Sequence, residues 1–132
     1  MKSKGGGWPA TGLFLIAAGA ATLAGAHGAG GDAAKGAAVF EDRCSLCHSI
    51  TDNQQGPRLG GVVGRKAGTV PGADYTDALK ASGVVWTADK LDLFLQGPSQ
   101  LVPGTAMPAT VPDPAERRDL IAYLASTKAS AQ

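Results

Sequence analysis

The sequence predicts an all-α domain of four to five short helices joined by long loops. Three observations lead there. Apolar residues recur at helical spacing in segments with recognisable caps. No stretch alternates apolar and polar residues as a half-buried strand would. Glycine and proline, 19 and 8 of 132 residues, punctuate the chain between the helical segments. The length suggests one folded domain.

Taken in order, the chain begins with a leader. Lys2 and Lys4 form a positive n-region, and Leu13-Phe14-Leu15-Ile16 and the Ala/Leu run after it form an apolar h-region. Ala24-Gly25-Ala26 matches the small-residue cleavage pattern, so residues 1–26 read as a secretory signal peptide. The apolar run from Thr11 to Ala26 is 16 residues, short of the roughly 20 that span a bilayer. A retained anchor is the alternative. Residues 27–31 form a flexible linker, and the folded domain is expected over residues 32–132.

Cleavage after Ala26 leaves 106 residues with ten basic and eleven acidic side chains, a net charge of about −1. That balance excludes the electrostatic footprint of a nucleic-acid binder.

The first helix is expected from roughly Asp32 to Cys44, with Asp32 as N-cap. Gly36, Phe40 and Cys44 are spaced by four and share one face. A glycine inside a helix costs about 1 kcal/mol relative to alanine, so Gly36 points to a closely crossing helix. From Ser49 to Pro71 no helix is expected, because Gly56-Pro57, Gly60-Gly61, Gly64 and Gly68 break it into loops. A second short helix is expected from about Asp74 to Ser82, ending at Gly83. A third begins near Thr87, carries Leu91, Phe94 and Leu95 on its apolar face, and ends at Gly97-Pro98. A proline-rich loop follows. The last helix opens with Asp113-Pro114-Ala115-Glu116, an N-cap, a proline at the first helical position and an acid three on, as in a capping box. Leu120, Ile121, Tyr123 and Leu124 line its buried face.

The chemistry centres on Cys44-Ser45-Leu46-Cys47-His48. A C-x-x-C-H run reads as a c-type haem attachment site. Each thiol can add to one vinyl group of the same porphyrin, and His48 can then reach the iron. A structural zinc site would need four ligands, and the mature chain offers only Cys44, Cys47 and His48 in the motif. A C-x-x-C oxidoreductase would need a βαβ setting that is absent from the pattern. Haem attachment consumes both cysteines, which in an exported chain would otherwise suggest a disulfide. His27 is the only other histidine and lies beside the leader. Apart from Met1, Met107 is the only methionine, in Pro103-Gly104-Thr105-Ala106-Met107-Pro108. Histidine and methionine on opposite faces are the ligand pair of electron-carrying haem proteins, and the thioether raises the reduction potential.

With these elements assembled, the chain resembles a class I c-type cytochrome, of the mitochondrial and bacterial soluble kind, from Gly31 to Leu124. The resemblance rests on Gly36, Phe40, the C-x-x-C-H run, Gly56-Pro57-x-Leu59-x-Gly61 and Gly64-Arg65-Lys66-x-Gly68. It continues through Tyr75-Thr76-Asp77-Ala78, Trp86, Pro103-Gly104-Thr105-x-Met107 and Asp119-Leu120-Ile121-Ala122-Tyr123-Leu124. It implies a small cytochrome c fold wrapped around one covalently bound haem c. It implies His48 and Met107 as axial iron ligands and Cys44 and Cys47 as thioether anchors. It further implies that the Pro57 carbonyl accepts from His48, that Arg65, Tyr75 and Trp86 hydrogen-bond the haem propionates, and that Thr105 donates near the buried one. Gly36 and Phe40 would pack on Leu120 and Tyr123 where the first and last helices cross.

Three departures from the mitochondrial pattern carry expectations. Phe94 stands where that pattern has a tyrosine whose hydroxyl approaches the methionine sulfur. Leu79 stands where it has a buried asparagine. Together they imply a reduced polar network beside the haem and a lower potential. Ser99, Gln100 and Ala106 replace three lysines of the haem edge, while Arg43 keeps one positive charge beside the motif. Charge steering should then be weak, and the partner's docking surface neutral or apolar.

The implied function is a periplasmic one-electron carrier rather than an enzyme. It would act as a monomer between membrane or periplasmic redox proteins, its donor and acceptor in a respiratory or other chain. Two alternatives stay open: a haem sensor or peroxidase-like protein with a labile Met107, and a redox subunit tethered to a dehydrogenase or the membrane.

Overall fold

The computed structural model describes residues 2–3, 5–7 and 30–128. The h-region and cleavage site of the expected leader, residues 11–26, and His27 lie outside them. Among the described residues five helices follow one another: α1 (Ala33–Arg43), α2 (Asp77–Ala81), α3 (Ala88–Gln96), α4 (Pro98–Leu101) and α5 (Pro114–Ser126). The described residues contain no strand, only an isolated antiparallel bridge between Lys66 and Val85. Among them no helix is long and apolar enough to cross a membrane.

The caps explain where the helices start. The Asp32 carboxylate accepts from the N–H groups of Ala34 and Lys35 at 2.9 and 3.2 Å, satisfying two donors that have no partner inside α1. Thr87 caps α3 through Lys90 N at 3.2 Å. At α5 the Asp113 carboxylate accepts from Ala115 N and Glu116 N at 2.7 and 3.0 Å, with Pro114 at the first helical position. The expected capping box is only half made. Glu116 does not reach back to its own cap, because its carboxylate pairs with Arg43 of α1 at 2.8 Å.

Two helix boundaries differ from the sequence expectation. α2 begins at Asp77 rather than near Asp74, because Thr76 caps it by accepting from Leu79 N at 3.2 Å. Thr76 is extended there (φ −65°, ψ 152°), so Asp74 and Tyr75 stay in the loop. The chain also re-enters a helix at Pro98, where a stop was expected. Gly97 is extended (φ −166°, ψ 92°), and Pro98 then starts the single turn of α4.

The frame is the crossing of α1 and α5. Gly36 sits at the contact, and a Cβ built there would strike the Asp119 carbonyl and lie 2.8 Å from Tyr123 Cβ. The helix-propensity cost of Gly36 is therefore offset by the close approach. Phe40 packs on Tyr123 with ring centroids 5.6 Å apart, and the Asp32 N–H donates to the Asp119 carboxylate at 2.8 Å. Leu120 is fully buried between these helices and the rest of the core, which α3 closes with Leu91, Phe94 and Leu95.

A cleft flanked by long loops

The cysteine motif is a helix end. Cys44 is the C-cap of α1, its N–H donating to Phe40 O at 2.8 Å. The N–H groups of Cys47 and His48 both donate back to Cys44 O, at 3.0 and 2.9 Å. This tight turn carries both sulfurs and the imidazole to one side. All three line a cleft of about 280 Å³. Its other walls are largely apolar: Leu59, Val62 and Leu79 from the loops and α2, Leu91, Phe94 and Leu95 from α3, Leu120 and Leu124 from α5.

Met107 enters the same cleft on the loop between α4 and α5, flanked by Thr105, Ala106 and Pro108. Its N–H donates to Thr105 Oγ1 at 3.4 Å, so Thr105 braces the methionine. Tyr75 also lines the cleft, and its hydroxyl accepts from Val70 N at 3.2 Å.

His48 is set for a metal by its second nitrogen. Nδ1 lies 2.7 Å from Pro57 O. A carbonyl only accepts, so Nδ1 carries the proton and Nε2 keeps its lone pair. Burial pushes the imidazole pKa below its ordinary value, against the opposing pull of the Pro57 carbonyl, and so favours the neutral ring that ligates metals. Gly56 presses on the ring. A Cβ there would strike Cε1 and lie 2.7 Å from Nδ1. Burial also pushes the Cys44 thiol up to about 11, which keeps the free side chain a neutral thiol at pH 7.

The structure thus gathers Cys44, Cys47, His48, Pro57, Tyr75, Thr105 and Met107 on one cleft. Arg65 and Trp86 are not part of its lining. The Arg65 guanidinium donates to Gly60 O at 3.0 Å and Arg58 O at 2.8 Å. Trp86 is buried edge-on against Phe94 at 4.8 Å, behind the cleft wall. Segment 64–67 is stitched to 84–86 by Gly64 N to Trp86 O, Trp86 N to Arg65 O and Ala67 N to Val84 O, at 2.8, 2.9 and 2.8 Å.

The donor set fits one chemistry. Two thiols and an imidazole stand on one turn, and a thioether stands in the same apolar cleft. Among the described residues no group of three or more His, Cys, Asp or Glu side chains could hold a bare metal ion. A flat, largely apolar macrocycle with a central metal suits these walls, and the apolar lining would exclude water from it.

Comparison with known proteins agrees with that geometry. A family model described as cytochrome c matches residues 33–128. The chain belongs to the cytochrome c family. Cytochrome c of Gibberella zeae is 46% identical over 100 residues, covering 73% of this chain and 94% of its own. Cytochrome c2 of Rhodopila globiformis is 45% identical over 102 residues, covering 74% and 95%. Among solved structures, cytochrome cH from Methylobacterium extorquens superposes with a TM-score of 0.70 at 43% identity, covering 74% of this chain and all of that one. As a cytochrome c the chain holds one covalently attached haem c, and Cys44 and Cys47 fit the attachment motif. Family membership makes it a haem-based electron carrier.

Sequence reasoning missed two features of this cytochrome. Arg117 is a buried cation, 8% exposed. Its position was readable, since Asp113, Arg117, Leu120 and Leu124 follow helical spacing onto one face. The other is the pairing of Arg43 with Glu116, a contact between helix ends 73 positions apart that no local pattern announces.

Proposed function

We propose that this protein is an exported, periplasmic one-electron carrier in which His48 and Met107 are the axial ligands and Cys44 and Cys47 the covalent anchors. The observation that carries the reading is the His48–Pro57 bond, which directs Nε2 of the motif histidine away from Pro57 in a cleft that Met107 also lines. Haem bound there supplies a ferrous/ferric couple. The chain's part is to bind and orient, keep water out and hold both ligands through the redox change. Tyr75 and Thr105 stand at the cleft as propionate partners. Arg65 and Trp86, off the cleft lining, support its walls instead, Arg65 through Gly60 O and Arg58 O and Trp86 through its packing on Phe94. Export rests on the leader pattern of residues 1–26.

The docking face is the mouth of the cleft. The charged side chains on its lining are Arg43 and Asp74, and Arg43 is paired with Glu116. Leu46, between the two anchors, is 90% exposed. A partly apolar face whose cation is already paired and which carries a single carboxylate suits a redox partner whose own docking surface is neutral.

Voltammetry of the purified holoprotein tests the carrier reading. One reversible one-electron wave, unchanged by added peroxide or oxygen, is the expected result. A catalytic current with either would mean an enzyme.

A further inference from the structure

We propose that Arg117, held in place by Asp92, is the positioning residue that locks the return end of the Met107 loop and so keeps the methionine in its ligating position. The inference rests on the reading of Met107 as an iron ligand.

Arg117 is 8% exposed, and its guanidinium reaches three acceptors. Nε donates to Asp92 Oδ1 at 2.7 Å. Nη1 donates to Val111 O at 2.9 Å and to Pro112 O at 2.8 Å. Those two carbonyls end the loop that begins after α4 and carries Met107. The opposite end of the guanidinium is set by α3, since the Asp92 carboxylate also accepts from Gln96 Nε2 at 2.7 Å through Oδ2. The planar fork therefore ties α3, α5 and the loop together at one point, with a rigidity that a lysine point charge would not give.

The loop needs such a lock because it has little structure of its own. Pro103, Pro108 and Pro112 have no N–H to donate. The loop's own N–H groups are held at three points: Thr105 to Val102 O, Met107 to Thr105 Oγ1, and Val111 to Leu95 O at 2.8 Å. The last of these meets the Arg117 bonds at Val111, which is 3% exposed. Val111 is thus fixed from α3 through its N–H and from α5 through its carbonyl. Met107 lies four residues upstream, with Pro108 between. If the lock opens, the stretch from Met107 to Val111 is free to move away from the cleft. The ion pair is partly buried and charge-assisted, and removing one member leaves the other uncompensated.

The test measures ligand exchange at the ferric iron. Imidazole is titrated into the ferric holoprotein of wild type, Asp92→Asn and Arg117→Met, following loss of the methionine-to-iron charge-transfer band. A control, Val70→Ala, trims a core residue outside the loop and outside the cleft lining. The expected result is about tenfold tighter imidazole binding in Asp92→Asn, corresponding to about 1.4 kcal/mol of lost methionine retention. Arg117→Met should shift it further, or lack the band altogether. Val70→Ala should lower the melting temperature with imidazole affinity unchanged. Asp92→Asn retains every backbone contact, so it reports even if Arg117→Met does not fold. Wild-type imidazole affinity in Asp92→Asn, or an equal gain in Val70→Ala, would overturn the lock. A wild type with no charge-transfer band would instead overturn the ligand assignment on which the lock rests.

Discussion

At Gly56 the space that a side chain would fill belongs to the His48 ring. The backbone there is not in the left-handed region, so the glycine is required by proximity rather than by conformation. Gly56→Ala is expected to push the imidazole off Pro57 O and to destabilise the holoprotein by about 1–3 kcal/mol, as overpacking does, read by denaturant unfolding. A stability within error of wild type would show that the ring can yield. Phe94, 7% exposed on the cleft wall, offers no donor to the methionine sulfur. A sulfur without a donor gives more density to iron. Phe94→Tyr should therefore raise the reduction potential in a redox titration, and an unchanged or lower potential contradicts the argument. His48 and Met107 were legible as candidate ligands because, beyond the expected leader, the sequence has few competitors for either role. Arg117 was not, because one cation in a helix ordinarily points to water, and only its spacing with Leu120 and Leu124 betrays it.

Helix starts were more legible than helix lengths. Asp32, Thr87 and Asp113 act as caps at the positions their residue type announces. The second helix was overextended, because N-cap preference ranks Asp ahead of Thr and so favours Asp74, whereas the extended backbone at Thr76 makes Thr76 the cap. α4 was invisible, since Gly97-Pro98 reads equally as a stop or as a new start. The Asp113 cap carries a pH prediction. Its bonds to Glu116 N and Ala115 N hold the carboxyl below its ordinary value of 3.8. The unfolded chain then takes up this proton before the folded one does. The stability it contributes is present above about pH 4 and lost as pH falls. Asn caps nearly as well but does not titrate there. Asp113→Asn should match wild type in melting temperature near pH 7 and lose less of it between about pH 5 and pH 3. Parallel acid limbs would contradict this.

Over the whole molecule, the cleft is assembled from pieces far apart in the chain: a helix end at Cys44–His48, a loop at Pro57, one face of α3, one face of α5 and the loop at Met107. Local patterns located each piece, but only the packed core brings them together, which is why no local pattern placed Arg65 and Trp86 off the cleft lining. The pairing of Arg43 with Glu116 leaves the cleft mouth without a free cation on its lining. Reduction by a neutral-faced redox protein should therefore vary little with ionic strength, whereas rates that fall steeply with added salt would mean an acidic partner. The central claim is that His48 and Met107 together complete the coordination of one haem. The absorption spectrum of the purified holoprotein in both oxidation states, with and without carbon monoxide, tests it most directly. A ferric methionine-to-iron charge-transfer band and no carbon monoxide binding in the ferrous state are predicted. A missing band with avid carbon monoxide binding would place an open position at the iron and contradict the account.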